Sequence, residues 1–242
     1  MSSASSASRI LTTNGRPRKS SSALDLPIRS EAPAASTTPA TPIPLHYREL
    51  HPAAKPPNWR RMAVRHIRQL GDPILRVRCE RVQNPKSAAT RLIADDLRDS
   101  LAAAKKKYKM GRALAAPQIG APVRIVFVQM DKQRWTMINP EITDVGPNDF
   151  LVWDDCFSFP ELLVRVTRAH AVTVSYTDLK GKQRTMEAEG PMAELLQHEI
   201  DHLDGILALD RPSGVDPFAF RVEWEKLHPP EERYGPPKPR EV

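Results

Sequence analysis

Proline is spread unevenly along the chain, and its placement limits where a continuous hydrogen-bonded core can form. Of the 24 prolines in 242 residues, nine fall in residues 1–60, nine in the 155 residues from 61 to 215, and six in the last 27. Proline lacks an amide donor and interrupts helices and central strands, so a fold is expected in the middle stretch. Charge divides in the same way. The net +7 splits into +5, +3 and −1 over these three segments. Residues 1–60 are also rich in Ser, Thr and Ala, a composition that buries too little apolar surface to offset its ordering entropy. The expected organisation is a disordered basic Ser/Pro-rich extension over 1–60, one folded domain over 61–215 and a Pro-rich C-terminal tail over 216–242.

Several classes are excluded by composition. No apolar run approaches the roughly 18 residues of a membrane span, so no transmembrane segment is expected. Two cysteines, Cys79 and Cys156, are too few for a disulfide-stapled secreted scaffold. Most of the basic excess lies outside the expected domain, which argues against a specific nucleic-acid site. The first 24 residues hold Arg9, Arg16, Arg18 and Lys19, many serines and no acid. That is the composition of an organelle transit peptide, and it points to a mitochondrion or another organelle; read as an ordinary tail, it leaves the protein in the cytoplasm.

Within the middle stretch, Ile93, Leu97, Leu101 and Ala104 recur at helical spacing, with Asp95, Asp96 and Asp99 toward the other side. This predicts an amphipathic helix over 91–107, its basic end at Lys105–Lys107 matched to the helix dipole. Strands are predicted at 124–128, 135–138 and 171–176, with a turn at 178–181 and a return strand over 183–188. Pro191 fits a first helical turn, Met192, Leu196, Ile200 and Leu203 continue a helix, and Gly205 is its stop signal. A helix, then strands, then a second helix makes an α+β fold without βαβ alternation or repeats.

That second helix carries His198-Glu199-Ile200-Asp201-His202. Histidines four residues apart project from one helix face and can bind one ion, while Glu199 can reach a water on it. A catalytic metal usually takes three protein ligands and keeps one position open. Candidates for the third are the other histidines, Asp204, Asp210 and the two cysteines. Cys79 reads as a buried small apolar residue. Cys156 stands in the polar segment 153–160, a loop of the kind that presents ligands. A further segment, Gly111 to Gly120, combines small residues with one amide, Gln118, which could face a developing oxyanion or simply be solvated.

Taken together, Gly111 to Gln118, Asp154 to Ser158 and Gln197 to Leu203 resemble the glycine-rich, cysteine and histidine motifs of the peptide deformylases, in the same order. The likeness extends to residues 70–76, 138–141 and 204–207. It implies a single α+β domain with antiparallel strands packed around a central HExxH helix. It also implies Cys156, His198 and His202 as ligands of one divalent ion, Fe2+ in the cell, with Zn2+, Ni2+ or Co2+ accepted. Water activated at that ion would attack the formyl carbon of an N-formylmethionyl peptide, with Glu199 as general acid/base and formate as product. Gln118 and the backbone N–H of Phe157 would stabilise the oxyanion. Gly111, Ala113 and Leu114 would contact substrate, and Asp201 with Arg168 would orient the helix. The implied partners are N-formylated nascent peptides and the ribosome that makes them.

Three departures from the family pattern stand near the site. Ala113 replaces a glycine, Asp154-Asp155 replaces Glu-Gly, and Phe157 replaces leucine. If position 113 needs a positive φ, Ala113 is strained. Asp155 would add negative charge beside the metal. These changes leave the ligands, Glu199 and Gln118 in place and are expected to alter substrate fit, which favours one alternative, an amide hydrolase acting on a different N-acyl substrate. A second alternative, of another class, is a metal-binding homologue without activity. A zincin-type endopeptidase fits less well, because its third ligand has no counterpart downstream.

Overall fold

The structure is a computed structural model that describes residues 64–240. The extension over 1–60, with its transit-peptide reading, His46 and His51, lies outside the described residues.

A 3-10 turn at Pro73–Arg76 is followed by α1 (Ala88–Tyr108), whose first turn is capped by the Ser87 hydroxyl accepting from the Thr90 N–H. The helix stops where Lys109 turns left-handed, at φ 58°. Its inner face buries Leu97 and Leu101 completely, each worth about 1.5–3 kcal/mol relative to exposure. Asp96 departs from the amphipathic expectation. It is buried, and Arg65 Nε donates to its Oδ2 at 2.8 Å, so an ion pair permits a carboxylate on the inner side.

Among the described residues, nine strands form, and all pair antiparallel. They are β1 (Ala113–Ala115), β2 (Ile125–Met130), β3 (Gln133–Val145), β4 (Asn148–Asp155), β5 (Leu162–Ala169), β6 (Ala171–Thr177), β7 (Gln183–Glu189), β8 (Phe218–Phe220) and β9 (Lys238–Pro239). One sheet runs β1-β2-β3-β6-β7 and the other β8-β5-β4-β9. Between β7 and β8 lies α2 (Pro191–Leu203), and α3 (Arg221–Leu227) follows β8. Residues of α2 share one core with β1, β2, β3, β6 and β7, which places the HExxH helix against the five-stranded sheet.

The hairpin β6–β7 turns on Asp178, whose carboxylate accepts from the Lys180 and Lys182 N–H groups. Strands β1, β4 and β5 are less evident in the pattern. β1 is only three residues long and buried on both faces, so it shows no alternation.

The fold also continues beyond residue 215. β8 pairs with β5, β9 pairs with β4, and Trp224 of α3 is buried with its ring 6.2 Å from that of Trp153. Of the prolines of this segment, Pro230 opens a 3-10 turn, where its missing donor costs nothing, and Pro239 lies on the edge strand β9. Among the described residues, no helix is long and apolar enough to cross a membrane.

Candidate metal centre

Helix α2 begins after Gly190, with Pro191 in its first turn, and ends at Leu203 because Gly205 takes a positive φ of 74°. A Cβ at position 205 would lie 2.6 Å from the Arg76 carbonyl oxygen, so only glycine fits. Leu196 and Leu203 anchor one side of the helix in the core, and His198, Glu199 and His202 are all buried, His198 against Asp154 of β4. The Cys79 N–H donates to the Leu203 carbonyl, which ties the chain before α1 to the helix end.

Cys156 follows the last residue of β4 directly. Its Sγ lies 3.2 Å from His202 Nε2, which is 3.1 Å from His198 Nε2. A tetrahedral site with metal–nitrogen bonds of about 2.0–2.1 Å and a metal–sulfur bond of about 2.3 Å has ligand–ligand edges of roughly 3.3–3.6 Å. The three donors are therefore spaced close to what one ion requires. Glu199 Oε2 is buried and has no hydrogen-bond partner among the described residues, as expected of a carboxylate that faces a water held by such an ion. Asp204 and Asp210, the other ligand candidates, are engaged elsewhere, by Arg124 and Arg76. Cys79 lies in the apolar core, where burial pushes its thiol up to about 12.

Further contacts hold this arrangement. Gln118 Oε1 accepts from the Ala115 N–H at 2.9 Å, which leaves Nε2 aimed at Cys156 Sγ, 3.4 Å away, and at Ser158 Oγ, 3.3 Å away. The Ser158 N–H also points at the sulfur, at 3.4 Å. Asp154 Oδ1 lies 2.8 Å from His198 Nδ1, and Arg168 Nη2 donates to Asp154 Oδ2 at 2.9 Å. Arg168 also pairs with Asp201, which Arg211 grips with two further contacts.

The electrostatics follow from burial and these neighbours. Burial works against the Asp154 carboxylate, yet His198 and Arg168 hold it well below the usual carboxylate range. In return, Asp154 raises the basicity of the His198 imidazole against burial. Burial keeps His202 well below its ordinary value and therefore neutral, the form that ligates metal. Burial pushes Glu199 up to about 7, His198 opposing and the Glu194 and Asp154 carboxylates adding.

A cavity of about 470 Å³ opens beside Cys156 and His198, and Gln118, Phe157, Glu199, Gly111 and Ala113 reach its wall. Leu114 does not. It is fully buried on the opposite face of β1, packed with Leu97 and Leu101, because side chains alternate along a strand. Ala113 is unstrained, since it lies in β1 and is not among the positive-φ residues; Gly111 is the one that needs glycine, at φ 92°. The Phe157 ring lies directly over it, and a Cβ on Gly111 would sit 1.9 Å from the Phe157 ring.

Asp155 is not a free charge beside the site. Arg221 Nη2 donates to its Oδ2 at 2.8 Å, and Arg233 Nη2 lies 2.9 Å from the same oxygen. Both arginines come from the segment after residue 215 and line the cavity. Sequence reasoning passed over them, as it did Glu194, because none of the three lies within the motifs. It also passed over Arg112, inside the Gly111–Gln118 segment, because its partner Glu194 stands 82 residues away. The doubled acid Asp154-Asp155 was the one available signal, since two buried carboxylates require cationic partners.

The profile of the polypeptide deformylase family matches residues 64–217. The chain is 40% identical to a peptide deformylase of Heliobacterium modesticaldum over 156 residues, 64% of this chain and 99% of that protein. It is 34% identical to a peptide deformylase of Dictyoglomus turgidum over 148 residues, 61% of this chain and 92% of the relative. Among solved structures, it resembles the peptide deformylase of Thermotoga maritima with a TM-score of 0.58 and 32% identity, covering 63% of this chain and 99% of that one.

Proposed function

The chain belongs to the peptide deformylase family, a metal-dependent family of hydrolases in protein biosynthesis, and on that premise we propose how its own residues carry the deformylase activity. One observation supports the reading above others: Cys156, His198 and His202 meet within ion-binding distance while Glu199 and Gln118 face the same cavity. The three donors would hold one divalent ion, Fe2+ in the cell, and a His2Cys set also suits Zn2+, Ni2+ or Co2+. Bound there, the ion supplies Lewis acidity toward water and the formyl carbonyl.

Glu199 serves as the proton carrier. Its carboxylate accepts a proton from the attacking water and delivers it to the α-amine nitrogen of the leaving peptide, so that formate and a free N-terminus result. An acceptor held near neutral pH suits both halves of that transfer. Gln118 Nε2, fixed by its own oxygen on the Ala115 N–H, donates toward the oxygen that gains charge, together with the Phe157 N–H. Losing one such donor typically costs about 2.7–4 kcal/mol of transition-state stabilisation. Asp154 orients the His198 ring, and Arg168 joins Asp154 to Asp201 and thus to the helix. Gly111 and Ala113 line the path of the peptide, and Leu114 supports it from the core.

Formylated nascent chains are made by bacterial-type translation, so the ribosome is where this substrate would be met. In the same reading, residues 1–60 act as an import address for a mitochondrion or another organelle. A reporter fused to those residues checks it, and a purely cytosolic signal counts against it. The activity itself is tested by formate release from formyl-Met-Ala-Ser by the metal-loaded protein. No turnover with metal bound stoichiometrically overturns the reading and favours a different N-acyl substrate or an inactive metal-binding homologue.

A further inference from the structure

Resting on the deformylase reading above, we propose that the Arg112–Glu194 ion pair is the specificity determinant of the cleft. It relaxes the preference for a methionine-like first side chain and admits N-formyl peptides that begin with an uncharged polar residue.

The pair is built into the wall beside the proton carrier and not at the rim. Arg112 lies on the stretch entering β1, and Glu194 lies in the first turn of α2, one turn before His198. Arg112 Nη2 donates to Glu194 Oε2 at 2.6 Å, and Nη1 donates to the Pro191 carbonyl at 2.8 Å. The Glu194 side chain is 4% exposed and that of Arg112 is 27% exposed. Ligand atoms of Glu194, His198 and Asp154 all lie within 4.8 Å of one another. Arg112 and Glu194 both face the cavity that holds Glu199 and Gln118.

Pockets that select long apolar side chains are lined predominantly by apolar groups. Here an ion pair occupies part of that lining. A thioether laid against it strips water from the guanidinium and carboxylate and returns only weak hydrogen bonding. A carboxamide or hydroxyl can instead accept from the Arg112 N–H groups that Glu194 and Pro191 leave free, because a guanidinium carries five donors. Negative charge from Glu194 and Asp154 nearby disfavours an acidic side chain. Sites of this kind gain selectivity from hydrogen bonds, whereas an apolar pocket gains about 10–200-fold per methylene from fit.

The test compares kcat/KM for formyl-Met-Ala-Ser and formyl-Gln-Ala-Ser with the metal-loaded full chain, in wild type, R112M/E194M and E194Q. In wild type the Met peptide should be preferred by less than about tenfold. R112M/E194M should raise that preference to about 100-fold or more, with most of the change in KM, since apolar replacement of a buried ion pair is commonly tolerated. E194Q keeps the shape of the side chain and frees Arg112 donors, so it should lower the preference by about threefold. It also covers the case in which the double variant fails to fold. A wild-type preference above about 100-fold overturns the inference, as does an unchanged ratio in the folded variants, while leaving the deformylase reading intact. No formate from either peptide with metal bound overturns both.

Discussion

Asp154 Oδ1 lies 2.8 Å from His198 Nδ1, while its second oxygen accepts from Arg168 at 2.9 Å. A buried carboxylate thus links a metal-ligand candidate to a guanidinium that also pairs with Asp201 on the same helix. Asp154→Asn keeps the size and removes the charge that fixes the imidazole. Metal affinity, measured by chelator competition, should fall about 10–100-fold. Unchanged affinity would show that Asp154 only fills space.

The proton-carrier role of Glu199 separates from metal binding. Glu199→Gln should lower turnover of formyl-Met-Ala-Ser by about 10²–10⁴-fold, the usual size of a general acid/base contribution. Metal content by elemental analysis should stay at the wild-type level. Loss of metal together with activity would assign Glu199 to holding the site rather than to the chemistry.

The segment after residue 215 should contribute measurably to stability through Asp155. Arg233→Met leaves the carboxylate with Arg221 alone in a half-buried setting, so denaturant unfolding should show a loss of about 1–3 kcal/mol. In a double-mutant cycle with Asp155→Asn, the two losses should be non-additive. Additive losses would mean that the two groups do not interact in solution.

Gly111→Ala should be among the most damaging single-methyl changes in the molecule. It combines a residue at φ 92° with a Cβ placed 1.9 Å from the Phe157 ring. A loss of about 2 kcal/mol or more is expected from the strain of the left-handed backbone and the clash together. Combining it with Phe157→Leu should recover part of the loss, because the ring clash is relieved while the strain stays. Recovery to wild-type melting would place the whole cost in the clash.

Much of the fold was legible where pattern and local signals agree. The apolar spacing of Leu97, Leu101 and Ala104 announced α1, and the Val172, Val174 and Tyr176 alternation with the Asp178–Gly181 turn announced the β6–β7 hairpin. Helix α2 was bounded by Pro191 and Gly205. Strand β1 escaped because three residues buried on both faces carry no period. Strands β4 and β5 escaped because residue polarity does not follow their burial: Leu151 is exposed while Asp154 and Arg168 are buried. Asp96 was assigned to the outer face of its helix because local polarity gives no sign of Arg65 reaching it from outside the helix.

The residue types and spacing of HExxH, the cysteine after a doubled acid and the lone amide of Gln118 are local facts, and the sequence by itself determined the donor chemistry available to the site. What surrounds those donors was decided only by the tertiary structure. Asp155 reads as an added negative charge until Arg221 and Arg233, 66 and 78 residues further on, are folded against it. Leu114 reads as a substrate contact until the pleat of β1 turns it into the core. Arg112 and Glu194 stand 82 residues apart and become one polar wall only when β1 packs on α2. Short-range spacing sets which atoms can bind or move a proton. The charge and shape around them arise from pairs distant along the chain, which packing alone brings together.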